Sequence, residues 1–160
     1  LDMKTEYDFL IRAIELAGES VEKGGFPAGA LIVKDGEIIS EGISIGNILH
    51  DPTAHAESVA IREASKKLGT TNLVGAVLYS SLEPCLMCFC AATWAGISKN
   101  VHSTKKTDEM AKNFYYEGTI DLRSVNEKSN SKIEIIYNPE LEVKSLNLVK
   151  KWESANLPFA

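Results

Sequence analysis

The spacing of apolar residues changes at Gly24, and that change commits the chain to a mixed α/β fold. Before it, Phe9, Leu10, Ala13, Ile14, Leu16, Ala17 and Val21 recur at helical intervals, which predicts an amphipathic helix over 4–23 ended by Gly24 and Gly25. After it, PAGALIVKDGEIISEGIS holds two β-branched runs around Asp35-Gly36, a pair suited to a two-residue hairpin turn. Further on, the pattern predicts a helix over 54–68, a buried strand in GAVLYSSL, a helix over 85–95 behind Pro84, and a short strand over 100–103. TDEMAKNFYYEG reads as a short helix, LRSVNEKSNSK as a polar loop, IEIIY as a strand and 140–153 as a closing helix. This order calls for a mixed sheet with helices on both faces. With 160 residues the chain suits a single domain over 1–160 with its own core. Leu1 and Asp2, ahead of Met3, are set aside as a cloning remnant.

Cys85, Cys88 and Cys90 are the chain's three cysteines and fall within six residues. Bridges that close together would staple nothing useful, so metal or redox chemistry is the better reading. In EPCLMC, Cys85 and Cys88 share one face of a helical turn, at a helix N-terminus where the dipole favours thiolate. Alone, C-x-x-C serves a redox dithiol, half of a structural zinc site, or neither. A thioredoxin-type dithiol follows the first strand of its fold, whereas two βα units precede this one, and a structural zinc site wants a second ligand pair that is missing here.

The stretch TAHAESVAIR supplies what is missing. His55, Cys85 and Cys88 make three ligands and leave a fourth position open, as catalytic zinc requires. Glu57 is then free to move protons beside the metal. Residues two apart on a regular helix point about 200° apart, so His55 and Glu57 converge only if the helix is just beginning, with Pro52 and Thr53 as entry and cap. His50 and His102 are expected to be non-ligands and Cys90 a small buried residue.

Charge bears on the partner. Residues 1–98 hold seven Lys/Arg against thirteen Asp/Glu, and the net charge is −5, so the half with the candidate chemistry repels polyanions. A small-molecule substrate is expected, and nucleic acid is not. No run reaches the roughly 18 apolar residues of a membrane span. The N-terminus lacks the basic-then-apolar order of a secretory signal, so a cytoplasmic location is expected.

H-x-E followed by P-C-x-x-C is the signature of zinc nucleobase deaminases. FPAGALIVKDGEIISEG, DPTAHAE, AIREA and LYSSLEPCLMCFCAATWAGI resemble the cytidine deaminase-like superfamily over nearly the whole chain. The resemblance is greatest to guanine deaminases, with zinc cytosine deaminases and tRNA adenosine deaminases close behind. It implies a three-layer α/β/α sandwich around a five-stranded mixed sheet, a homodimer, and one Zn2+ per chain on His55, Cys85 and Cys88. It also implies Glu57 as the proton shuttle in the deamination of a nucleobase or nucleoside. Backbone amides near Ala28, Gly29 and Cys85 are candidates, by position, for orienting substrate and water.

Two departures concern the substrate. The family's asparagine eleven residues before the zinc histidine is Ser44 here, too short for a bidentate contact, with Asn47 as a stand-in. The acidic residue that follows the phenylalanine of TDEMAKNF in guanine deaminases is replaced by Tyr115 and Tyr116, with Glu117 one place later and Asp108 upstream. TWAG resembles a guanine deaminase pocket in which Trp94 is a wall, and Trp152 and Phe159 suit a C-terminal lid as well as plain packing. Guanine is the leading substrate. Cytosine or a related pyrimidine or triazine comes next, and a tRNA adenosine third. The non-enzyme alternatives are a zinc-binding relic and a nucleobase-binding regulator, and the retention of Glu57 argues against both.

Overall fold

Thr5 and Asp8 start the first helix by capping each other. The Thr5 hydroxyl accepts the Asp8 N–H, and the Asp8 carboxylate accepts the Thr5 N–H at 2.7 Å. The computed structural model describes residues 3–156, so Leu1, Asp2 and the lid reading of Phe159 lie outside the described residues. The helices are α1 (Glu6–Glu22), α2 (Gly46–Leu49), α3 (Ala56–Leu68), α4 (Leu86–Trp94), α5 (Asp108–Lys112), α6 (Leu122–Lys128) and α7 (Glu142–Asn156). The strands are β1 (Gly29–Lys34), β2 (Glu37–Ile43), β3 (Val77–Ser80), β4 (Lys99–His102) and β5 (Glu134–Tyr137).

The β1–β2 hairpin turns at Asp35 and Gly36, both at positive φ, as a two-residue type I′ turn demands. Sheet order is β2-β1-β3-β4-β5. The pairs of β1 are antiparallel, whereas β3, β4 and β5 run parallel, joined by crossovers that contain helices. Alternation along the strands sorts side chains to two faces. Ala30, Ile32, Leu78 and Ile135 pack with Ala56, Ala60 and Ala64 of α3 and Phe89 and Ala92 of α4. Leu31, Val33, Tyr79, Val101 and Ile136 pack with Phe9, Leu10 and Ala13 of α1 and Leu148 of α7. The result is the expected three-layer sandwich with a five-stranded mixed sheet.

Both helical layers come close enough to the hairpin to touch backbone. A Cβ at Gly29 would lie 2.2 Å from the Ala13 carbonyl oxygen in α1, and one at Gly42 would lie 2.1 Å from the Ala56 oxygen in α3. Ser20 adds a polar tie, its hydroxyl donating to the carbonyls of Phe26 at 2.6 Å and Ser44 at 3.1 Å. That tie anchors the two loops flanking the hairpin to the end of α1.

Two expectations need correction. LRSVNEKSNSK is not all loop, because Asp121 caps α6 by accepting the Arg123 N–H at 3.0 Å and Leu122 is buried in the core. Asn126 then ties α6 to the start of β5 by a pair of hydrogen bonds with the Ile133 backbone at 2.8 and 3.0 Å. The single turn α2 was not anticipated. It ends at His50 in the left-handed conformation and has no buried residue to leave an apolar pattern.

Candidate active site

His55 and Cys85 occupy equivalent places, each the N-cap of its helix, with extended φ/ψ of −73/158 and −71/167. The helical angle between residues 55 and 57 therefore does not apply, and Glu57 in the first turn of α3 reaches the same space as His55. Thr53, expected as the cap, instead folds back onto Asp51 through its N–H at 2.8 Å and hydroxyl at 2.7 Å. The helix starts at Ala56 rather than 54.

A ring nitrogen of His55 and the sulfurs of Cys85 and Cys88 all lie within 4.8 Å of one another, with Cys85 Sγ 3.4 Å from His55 Nδ1. Ser58 Oγ backs Cys88 Sγ at 3.3 Å. The charges are those of a site made for a cation. A hydrogen bond from Cys88, opposed by burial and helped by His55, pulls the Cys85 thiol down to about 6. Cys88 moves the other way, because sharing with the Cys85 sulfur and burial both favour its thiol. Burial, then the charge on Cys85, lifts the Glu57 carboxyl to about 7. A divalent cation removes the conflict, since it favours both thiolates together. Two sulfurs, one imidazole nitrogen and an adjacent carboxylate that is not needed as a ligand fit zinc.

A cavity of about 330 Å³ opens onto this cluster, reached by His55, Glu57 and Cys85, with Ala28 and Ser44 beside them. Its wall is aromatic. Phe26 stacks edge-on against Trp152 and tilted against Tyr115, with ring centres 5.1 Å apart in both cases. Trp152 thus lines the site from α7, and Tyr115 fixes that arrangement by donating to Glu153 at 2.7 Å. Tyr116 also lines the cavity, buried, and donates to the Glu83 carbonyl at 2.8 Å. Burial and the surrounding carboxylates push its phenol well above the ordinary value, so it is a neutral hydroxyl rather than an acid replacement.

Other expected site residues fall elsewhere. Gly29 uses its N–H on Ser81 Oγ at 3.1 Å and packs against α1. Trp94 does not wall this cavity, because its place at the end of α4 leaves it 90% exposed. Asp108 is exposed at the start of α5, and Asn47 is tied to the Gly24 carbonyl at 2.6 Å. His102 is buried within β4 and His50 is exposed, and neither belongs to the ligand cluster found among the described residues. Cys90 is half-buried rather than buried.

Two residues take roles that their places in the sequence did not signal. Glu117 caps α4 from a loop, its carboxylate accepting the N–H groups of Leu86 and Met87 at 3.2 Å each. Burial works to raise that carboxyl, and backbone hydrogen bonds outweigh it, leaving it below its ordinary value. Phe114 is the other. It follows α5 at φ 62, with its N–H on the Ala111 carbonyl at 3.1 Å and the Tyr115 N–H on the Met110 carbonyl at 3.0 Å. That is the helix ending in which glycine is usual, and a side chain there costs about 1 kcal/mol.

The family model for the cytidine and deoxycytidylate deaminase zinc-binding region matches residues 3–104. Guanine deaminase of Bacillus subtilis strain 168 is 50% identical over 101 residues, which are 62% of this chain and 65% of that protein. A tRNA-specific adenosine deaminase of Aquifex aeolicus is 48% identical over 101 residues, 63% of this chain and 66% of that protein. The match thus spans just under two thirds of these relatives' own length. The X-ray structure of guanine deaminase from Bacillus subtilis superposes with a TM-score of 0.67 at 35% identity, covering 94% of this chain and 95% of that one.

Proposed function

Because the chain belongs to the cytidine and deoxycytidylate deaminase zinc-binding family, we propose that it is a zinc-dependent hydrolytic deaminase of a small amino-heterocycle, guanine first. Glu57 carries the reading. It is a buried carboxylate that faces the cavity beside three ligand atoms, where a structural zinc site has no use for one. His55, Cys85 and Cys88 would hold zinc, which would supply the Lewis acidity that lowers the pKa of a water to about 7. Glu57, a buried carboxylate beside the metal ligands, takes a proton from the attacking water and hands it to a ring nitrogen. The water oxygen bonds to the ring carbon that carries the amino group. As the carbon–nitrogen bond breaks, Glu57 moves the second proton to the amine, which leaves as ammonia.

Guanine is supported by the identity to guanine deaminases and by a cavity whose aromatic wall suits a flat ring. A tRNA adenosine is the second reading, favoured by the Aquifex aeolicus relative. The carboxylates of Glu117 and Glu153 near the cavity oppose it, because they repel a phosphate backbone. The proposal includes a homodimer that covers the outer face of α4, where Trp94 is exposed and no charged residue occurs from 84 to 98.

The test is ammonia release by zinc-loaded protein from guanine, guanosine, cytosine, cytidine, adenosine, ammeline and a tRNA anticodon stem-loop. Turnover of one small heterocycle is expected. Glu57→Ala should lose about 10²-fold or more of it while still binding zinc. Turnover confined to the stem-loop favours the second reading, and silence on every compound with zinc bound overturns the deaminase.

A further inference from the structure

Three consecutive residues after α5 each reach a different element. Tyr115 donates to Glu153 of α7 at 2.7 Å, Tyr116 donates to the Glu83 carbonyl beyond β3 at 2.8 Å, and Glu117 accepts the Leu86 and Met87 N–H groups of α4 at 3.2 Å each. The two tyrosines line the cavity, whereas Glu117 lines a side cleft with His55, Cys85 and Met87 and is absent from the cavity wall. Its carboxylate is therefore placed to act on the metal site rather than on a bound ring. Cys85 and Cys88 also pack in one buried cluster with Met110 of α5 and with Tyr116. The turn over 113–117 thus meets the thiol-bearing helix by two routes, one polar and one apolar.

The amides that Glu117 takes are the first two of the helix that Cys85 caps. No carbonyl within the helix serves them, and the Cys85 sulfur stands beside the same helix start. A thiolate without a metal seeks such N–H groups and competes for them with the carboxylate, whereas a cation on the sulfur removes its need for them. We infer that Glu117 is a positioning residue that couples the metal to the cavity wall: zinc on Cys85 leaves the two amides to Glu117, which fixes the turn that presents Tyr115 and Tyr116. The inference rests on the zinc site of the deaminase reading and deepens it, since the wall that receives the ring is completed only with the metal in place. Such coupling is reciprocal. Whatever factor Glu117 adds to zinc affinity, zinc adds to the closure of the turn.

The experiment strips full-length wild type, Glu117→Ala and Glu117→Gln with a chelator and reloads them with zinc. Zinc affinity by chelator competition, the melting temperature of the zinc-free protein, and amide hydrogen exchange over 113–117 with and without zinc are read for each. Glu117→Ala should raise the zinc dissociation constant about 10- to 100-fold. In wild type, zinc should slow exchange over 113–117 by about 10-fold or more, and in Glu117→Ala most of that slowing should be lost. Glu117→Gln spans the same distance without the charge, so it should fall between the other two in both readings, with a zinc-free melting temperature within about 2 °C of wild type.

An unchanged zinc dissociation constant in Glu117→Ala overturns the inference, and so does zinc-dependent slowing that keeps its wild-type size in that variant. A lower melting temperature with both readings as in wild type makes Glu117 a helix cap alone and overturns it too. If Glu117→Ala fails to fold, Glu117→Gln decides: weaker zinc binding with less slowing supports the coupling, and wild-type values overturn it. None of these readings needs turnover. A wild type silent on every heterocycle therefore sinks the deaminase reading and leaves the coupling to stand or fall on zinc affinity and exchange.

Discussion

His102 shows what a single buried residue does to the pH range of the fold. Its side chain is wholly buried, with Nδ1 3.0 Å from Asn100 Oδ1 and the ring stacked on Tyr137. Nε2 has no hydrogen-bond partner among the described residues, and its 4.0 Å approach to the Glu83 carboxylate does not compensate. Burial first, then Arg123 and Lys105, depresses the imidazole to about 4. The native state therefore keeps it neutral while the unfolded chain takes a proton near the ordinary 6.5, so stability is full above pH 6.5 and falls as pH drops towards 4. The loss is roughly 3 kcal/mol at most. Urea melts of the zinc-free protein between pH 7 and 4 measure it, and His102→Gln should flatten the slope. His55, Glu57, Cys85 and Cys88 were legible in the sequence because their chemistry is tied to fixed spacing. The capping by Glu117, noted in the sequence only as a nearby acid, and the left-handed turn at Phe114 were not, since one depends on a loop reaching back to a helix start and the other on a turn without glycine.

At the scale of elements, α3 is positioned by Gly42 as much as by its own apolar face. A Cβ at Gly42 would meet the Ala56 oxygen at 2.1 Å and the Ala60 nitrogen at 2.7 Å, backbone atoms that cannot move alone. Gly42→Ala should push α3 off β2, costing about 1–3 kcal/mol in a chemical melt. It should also weaken zinc binding in a chelator competition, because His55 caps that helix. Gly29→Ala, against α1, should cost similar stability and leave zinc affinity nearly unchanged. The periodic elements were readable at this scale, as the buried stripe of α1 from Phe9 to Ala17 illustrates. α6 was not, because its stability comes from the Asp121 cap and one buried leucine in a polar stretch. Residues 53–55 misled for a related reason: Thr53 is a plausible cap by type, but Asp51 claims its hydrogen bonds.

For the whole molecule, the metal site is a tie between two helix starts thirty residues apart in sequence. Zinc should therefore stabilise the fold, apart from any part it takes in the proposed reaction. Chelation should lower the melting temperature by about 5–10 °C if zinc is present near a hundredfold above its dissociation constant. Calorimetry with and without chelator checks this, and Cys88→Ser should remove most of the difference. The layered architecture was legible because strand and helix periods alternate along the chain. The cavity was legible in part: Trp152 was a lid candidate and does line it, whereas its packing on Phe26, across most of the sequence, left no pattern. That contact also divides labour along the chain. His55, Glu57, Cys85 and Cys88 all precede Thr104, within the segment that the family shares, whereas Tyr115, Tyr116 and Trp152 come after it. Under the proposed function, drift in the last third would reshape one side of the cavity without touching the metal ligands, while Phe26, Ala28 and Ser44 hold the other side from the first third.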